Sequence, residues 1–232
     1  MSKGPVSEGL GRAERLSDAG DYEGALEALD EVITEHASDA AVQTARGWAL
    51  ENIGSHRLPE AREAYLEALR MNPGALWAKE GLSNVLRRLG QVEEADRLCH
   101  EVIEEGTRRF DVEEDLRELV GWCQLRLGMY DEAVNTLGVA LRLDGRWTAV
   151  RFDLALALLC AGDRVRAVVE YQRGIHQAEN GGIERLRGVV RVALDDLEEA
   201  LGERPALAAS REAMSIRGLL RSTLLASSSK AG

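Results

Sequence analysis

Proline is scarce, at 4 of 232 residues, and so are aromatics, with 4 Trp, 4 Tyr and 2 Phe. Sheet-rich domains lean on aromatic and β-branched side chains, so an all-β fold is excluded at the outset. Lysine is nearly missing: Lys3, Lys79 and Lys230 stand beside 26 Arg. A GC-rich coding sequence produces that skew by itself, and it marks no site. Cys99, Cys123 and Cys160 are odd in number and lack C-x-x-C spacing. That argues against a disulfide framework and fits a reducing compartment. No run of 18 apolar residues occurs, and Met1 to Leu10 has no apolar leader segment. The expected location is therefore the cytoplasm, with no membrane association.

Catalytic signatures are absent as well. The sequence contains no G-x-x-x-x-G-K-[ST], no G-x-G-x-x-G after a strand, no G-x-S-x-G and no H-E-x-x-H. His36, His56, His100 and His176 are scattered, and the one His–Cys neighbour pair, Cys99 and His100, points to different helix faces. His100 and Glu104 share a face at i, i+4, but two ligands make a weak metal site, and a solvated surface pair explains them. The acidic clusters Glu93-Glu94, Glu104-Glu105 and Glu113-Glu114-Asp115 fall in first turns or loops, where several suit the positive end of a helix dipole. Neither an enzyme nor a cofactor or metal protein is expected. The net charge of −11 repels phosphate backbones, which disfavours nucleic acid as a partner. Arg204, Arg211, Arg217, Arg221 and Lys230 give the last 32 residues +3, so residues 1–200 carry −14.

What the chain does have is Ala, Leu, Glu and Arg in abundance, which favour helices, and an internal period. Gly20 to Ala25, His56 to Ala61, Gly90 to Ala95, Gly128 to Ala133 and Gly162 to Ala167 align, and their closing alanines lie 36, 34, 38 and 34 residues apart. Twelve residues earlier stands a small residue (Ala13, Ala49, Ser83, Gly121, Ala155). Four residues later come Leu29, Tyr65, Cys99, Leu137 and Tyr171. Each unit reads as two helices. First helices are predicted near 7–18, 42–54, 75–89, 113–127 and 147–161, and second helices near 22–37, 58–71, 92–106, 130–143 and 164–179.

This pattern resembles the tetratricopeptide repeat, with Ala61, Tyr65, Ala68 and Pro73 as its fullest copy. The resemblance covers about residues 6–181 and implies an all-α solenoid of antiparallel hairpins wound as a right-handed superhelix. Repeats are expected at about 6–39, 42–75, 76–109, 114–147 and 148–181. Arg12 departs from the pattern, which leaves repeat one either frayed or packed on something else. So do Ala37, Thr107, Gly145 and Glu179, which replace the closing Pro. A further apolar stripe (Ile183, Leu186, Val190, Leu197, Leu201), followed by Pro205 and a leucine-rich segment, predicts a capping hairpin over 182–226. Residues 1–5 and 227–232 are expected to be unstructured.

The resemblance also implies a function: first helices line a concave groove that holds a partner peptide or helix. Counting register places Arg46 and Leu50 from repeat two on that groove, with Trp77, Asn84, Arg87 and Arg88 from repeat three. Repeat four adds Trp122 and Arg126, and repeat five Phe152 and Leu156. Trp48 falls at a core position. For Trp77 and Trp122 the alternative is packing on a neighbouring hairpin. The four arginines could fork onto carboxylates of a peptide or could be paired within the chain. Family members that clamp the terminal carboxylate of chaperones need a cation where Glu80 stands, although Asn84 fits that clamp. A protein-binding adaptor or scaffold is the leading reading. Its rivals are an accessory subunit of an enzyme complex and a homodimer formed through Leu207, Met214, Leu220 and Leu224.

Overall fold

The computed structural model describes residues 5–35 and 39–229. The expectations for residues 1–4 and 230–232, and for His36 and Ala37, lie outside them. Among the described residues the chain forms helices and turns with no strand. Five helix pairs follow the period: α1 (Pro5–Asp18) with α2 (Tyr22–Glu35), α3 (Ala40–Ile53) with α4 (Leu58–Met71), and α5 (Leu76–Arg88) with α6 (Val92–Arg108). They continue as α7 (Leu116–Arg126) with α8 (Tyr130–Leu143) and α9 (Thr148–Ala161) with α10 (Arg164–Glu179). Three more elements close the chain: α11 (Ile183–Glu203), the single turn α12 (Pro205–Ala208) and α13 (Arg211–Ser229).

Local chemistry sets the boundaries. Asp39 accepts a hydrogen bond from the Ala41 N–H at 2.7 Å and opens α3, and Asp163 accepts one from the Arg166 N–H at 3.2 Å at the start of α10. Four of the five hairpin turns pass through a glycine in the left-handed region, Gly20, Gly90, Gly128 and Gly162, with φ between 77° and 94°. The second hairpin turns differently, through Gly54 and the short 3₁₀ turn Ser55–Arg57. Helix α7 starts at Leu116, three residues later than the spacing predicts. The inserted residues form turns instead, with Arg109 gripping Glu113 through two nitrogens and Arg117 stacked 4.5 Å from the Phe110 ring centroid.

The chain divides into two compact units, one ending at Arg108 and the other beginning at Arg109. In the first, each hairpin packs on the next: α2 and α1 lie on α3, and α4 and α3 on α5. Ala25, Ala61 and Ala95 of the repeating column are all fully buried there. Arg12, the departure in repeat one, pairs at the surface with Glu31 on α2. In the second unit α7 and α8 lie on α9, and α11 and α13 stack on α9 and α10 as a further hairpin. Stacking buries apolar faces that no hairpin could bury alone. The end of α13 corrects one expectation: residues 227–229 are helical. Ser227 is buried and tied down by Arg187, whose Nη2 donates to the Ser227 carbonyl at 2.8 Å.

Candidate functional site

The first unit presents an open strip along α5. Trp77, Glu80, Asn84 and Arg88 recur at three- and four-residue spacing, which puts them on one helix face. Trp77 is 42% exposed, a large aromatic left in solvent. Asn84 donates to the Glu80 carboxylate at 2.5 Å, and Arg88 reaches across to α3, donating to the Glu51 carbonyl at 3.2 Å with its other contact, the Glu51 carboxylate, at 3.6 Å.

Beneath the strip lies Tyr65 of α4, fully buried. Its ring passes between α3 and α5 at two glycines: a Cβ on Gly47 would come within 2.8 Å of the ring, and one on Gly81 within 2.5 Å of Cε1. The two backbones leave a slot only because both residues lack a side chain. Through it the Tyr65 hydroxyl donates to Glu51 at 3.2 Å. Burial, helped by the charges of Glu51 and Glu80, pushes the phenol well above its ordinary range, so it stays a neutral donor. Glu51 and Tyr65 were not expected at the site. Their signal was the period itself, since Gly11, Gly47 and Gly81 occupy one register column.

Several expected groove residues lie elsewhere. Leu50, Phe152 and Leu156 are buried in the cores and present no surface. Phe152 turns toward α10, where its ring sits 5.9 Å from that of Tyr171. Trp48, expected in the core, is 40% exposed and meets Tyr22 edge-on at 5.4 Å. The four arginines are all engaged by the chain's own acids: Arg46 with Asp30 at 2.8 Å, Arg87 with Asp96, Arg88 with Glu51 and Arg126 with Glu199.

In the second unit the expected groove is occupied from within. Helix α11 lies against α9, and its Glu199 holds Arg126 of α7, whose side chain keeps only 7% of its exposure. The Arg126 guanidinium also sits 5.6 Å from the Trp122 ring centroid, and Trp122 packs against the core. Burial works against the Arg126 cation, and the carboxylates of Glu199, Asp196 and Glu203 together outweigh it. One turn before Trp122, desolvation and the charge of Asp115 raise the Glu118 carboxyl to about 7. Of the proposed self-association residues, Leu220 is core, Leu207 and Leu224 pack against the core, and Met214 stands in solvent. No group of three His, Cys, Asp or Glu among the described residues converges to hold a metal ion. No helix among them is long and apolar enough to cross a membrane.

A family model for the tetratricopeptide repeat matches residues 10–56 and 53–96. The solved structure of TTC0263, a thermophilic TPR protein of Thermus thermophilus, is similar with a TM-score of 0.59 at 21% identity, covering 81% of this chain and 97% of that one. MamA (AMB-1) matches at 20% identity and a TM-score of 0.44, covering 76% of this chain and 98% of its own. YrrB, described as a TPR protein with an unusual peptide-binding site, matches at 21% identity and 0.43, covering 83% and 99%. No curated protein matches the chain. Residues 10–96 thus match the tetratricopeptide-repeat model, the later hairpins continue in the same register, and the chain shares the helix-hairpin solenoid fold of TTC0263.

Proposed function

We propose that this protein is a non-catalytic adaptor that docks a partner protein on the α5 face of its first unit, with Trp77 as the anchor. The observation that carries this reading is Trp77 itself, exposed on one helix face with Glu80, Asn84 and Arg88. Solenoids of this kind work through extended surfaces of stacked repeats. Energetic anchors on such surfaces are enriched in Trp, Tyr and Arg. The groove residues expected from the fourth and fifth repeats contribute less, because α11 and the core already take up Arg126, Phe152 and Leu156. The test compares proteins captured from the native host by the wild type, by Trp77→Ala and by Trp122→Ala. A partner retained by the wild type and lost about tenfold or more by Trp77→Ala supports the reading. Equal capture by wild type and Trp77→Ala overturns it.

A second reading, self-association through the C-terminal helix, is favoured by one feature of α13. Met214, 50% exposed, and Leu225, 73% exposed, share a stripe with Gly218 and Ser222 on its outer side. Light scattering of the wild type and of Met214→Lys with Leu225→Lys tests it, and a wild type that is monomeric at about 100 µM removes it.

A further inference from the structure

The docking face also carries information about the charge of what it binds, and this inference rests on the reading of α5 given above. The acidity of the chain is lopsided. Residues 1–108 hold 21 Asp and Glu against 12 Lys and Arg, a net of −9, whereas residues 109–232 hold 19 against 17, a net of −2. The first unit's cations are moreover spent inside it. At least eight of the 12 are ion-paired with its own carboxylates, among them Arg46, Lys79, Arg87 and Arg88 around α3 and α5. Each such pair uses a carboxylate for a cation, so what remains to act on a partner is the carboxylate surplus.

The face repeats this balance locally. Arg88 is the cation of the strip, and it is turned toward Glu51. Glu51 and Glu80 converge near enough to Tyr65 for both charges to raise the phenol's pKa. An acidic segment laid along Trp77, Glu80, Asn84 and Arg88 would face the Glu80 carboxylate, with the largely buried Glu51 behind it, and would have to break the Arg88–Glu51 pair to gain a cation. A basic segment meets no such conflict: a guanidinium or ammonium can lie over the exposed Trp77 ring, with Glu80 one turn away.

We propose that the α5 face of the first unit docks a cationic protein segment, with an Arg or Lys side chain over Trp77 and directed toward Glu80. The test uses the full chain and three arrays of fluorescein-labelled peptides, randomised at the same apolar positions and bearing Arg/Lys, Asp/Glu or Gln at the polar ones. Binding is read by anisotropy at about 50 and 300 mM NaCl, with Trp77→Ala and Glu80→Lys as variants. The expected result is basic peptides bound about tenfold tighter than neutral ones, weakened by salt, and weakened about fivefold or more by either substitution. Trp77-dependent capture of neutral or acidic peptides instead leaves the docking face standing and overturns its charge assignment. Basic peptides bound equally by wild type and Trp77→Ala mean diffuse attraction to an acidic surface, which overturns the site. Capture of no array in a Trp77-dependent way overturns this proposal and the α5 docking reading together.

Discussion

Substituting Gly81 by alanine tests the slot that organises the candidate face. Two effects oppose each other. In a helix interior Ala is favoured over Gly by about 1 kcal/mol, so propensity alone predicts stabilisation. The added Cβ, however, would lie 2.5 Å from Cε1 of the Tyr65 ring, well inside van der Waals contact. Tyr65 cannot yield easily, because its ring is fully buried, lies against Gly47 on the other side and ends in a hydrogen bond to Glu51. Overpacking of this severity belongs at the upper end of the usual range of about 1–3 kcal/mol. The net expectation is a loss of about 2 kcal/mol. Urea unfolding followed by circular dichroism reads it as a lower midpoint at unchanged slope. The mechanism is isolated by repeating the substitution in a Tyr65→Ala background, where the overlap is gone and propensity remains. There Gly81→Ala should stabilise by up to about 1 kcal/mol, a reversal of sign that only a steric conflict with the ring produces. A neutral or stabilising Gly81→Ala in the wild-type chain would refute the wedged-ring account.

Two further outcomes follow from the second unit. The Glu118 carboxyl, at about 7 when folded against an ordinary 4.5, binds its proton more tightly in the folded state, so stability declines as pH rises from about 4.5 to 7. Glu118→Gln should therefore leave stability unchanged near pH 4 and raise it by at most about 3 kcal/mol near pH 8, as thermal melts at both values will show; equal effects at both would refute this. At the Arg126–Glu199 pair the arginine is the more deeply buried partner and cannot shed its charge, whereas Glu199 keeps contact with water. Removing the carboxylate by Glu199→Ala should thus cost about 3 kcal/mol or more, and Arg126→Ala less, with the reverse order in urea titrations refuting the assignment.

The repeat was legible because its chemistry is local. A left-handed glycine ends four of the five hairpin turns and an alanine sits where two helices cross, and α4, α8 and α10 begin and end where the spacing puts them. The candidate face was legible only in part. Register counting identifies which side of a first helix turns away from its partner, and on α5 that side carries Trp77, Asn84 and Arg88, exposed or half-exposed. It cannot tell whether another element covers that side. Leu156 satisfies the same register and is buried, because α11 and the rest of the second core close over α9. Nor can a period reveal ion pairs between residues far apart in sequence, such as Arg88 with Glu51 or Arg126 with Glu199. Those pairings favour the alternative in which the arginines are held within the chain.

The seating of aromatic rings between helices differs between the second and fifth repeats. In the second repeat Tyr65 starts on the second helix and passes inward between Gly47 and Gly81, so its hydroxyl emerges among Glu51 and its neighbours and creates a polar, supported face. In the fifth repeat Tyr171 holds the same column of the second helix and is also buried, but it meets a second ring, Phe152 of the first helix, at 5.9 Å. Phe152 runs the other way into the space left by Gly174, where a Cβ would stand 2.7 Å from its ring. The register column that reads Gly11, Gly47 and Gly81 becomes Leu119 and Asp153 in the last two repeats. Helix α9 carries Leu156, Leu159 and other apolar residues that need covering, and α11 packs against it. The two repeats thus differ in what lies over the first helix: Gly47 and Gly81 make room for Tyr65 beneath an α5 face that keeps Trp77 exposed, whereas the apolar α9 is covered by α11.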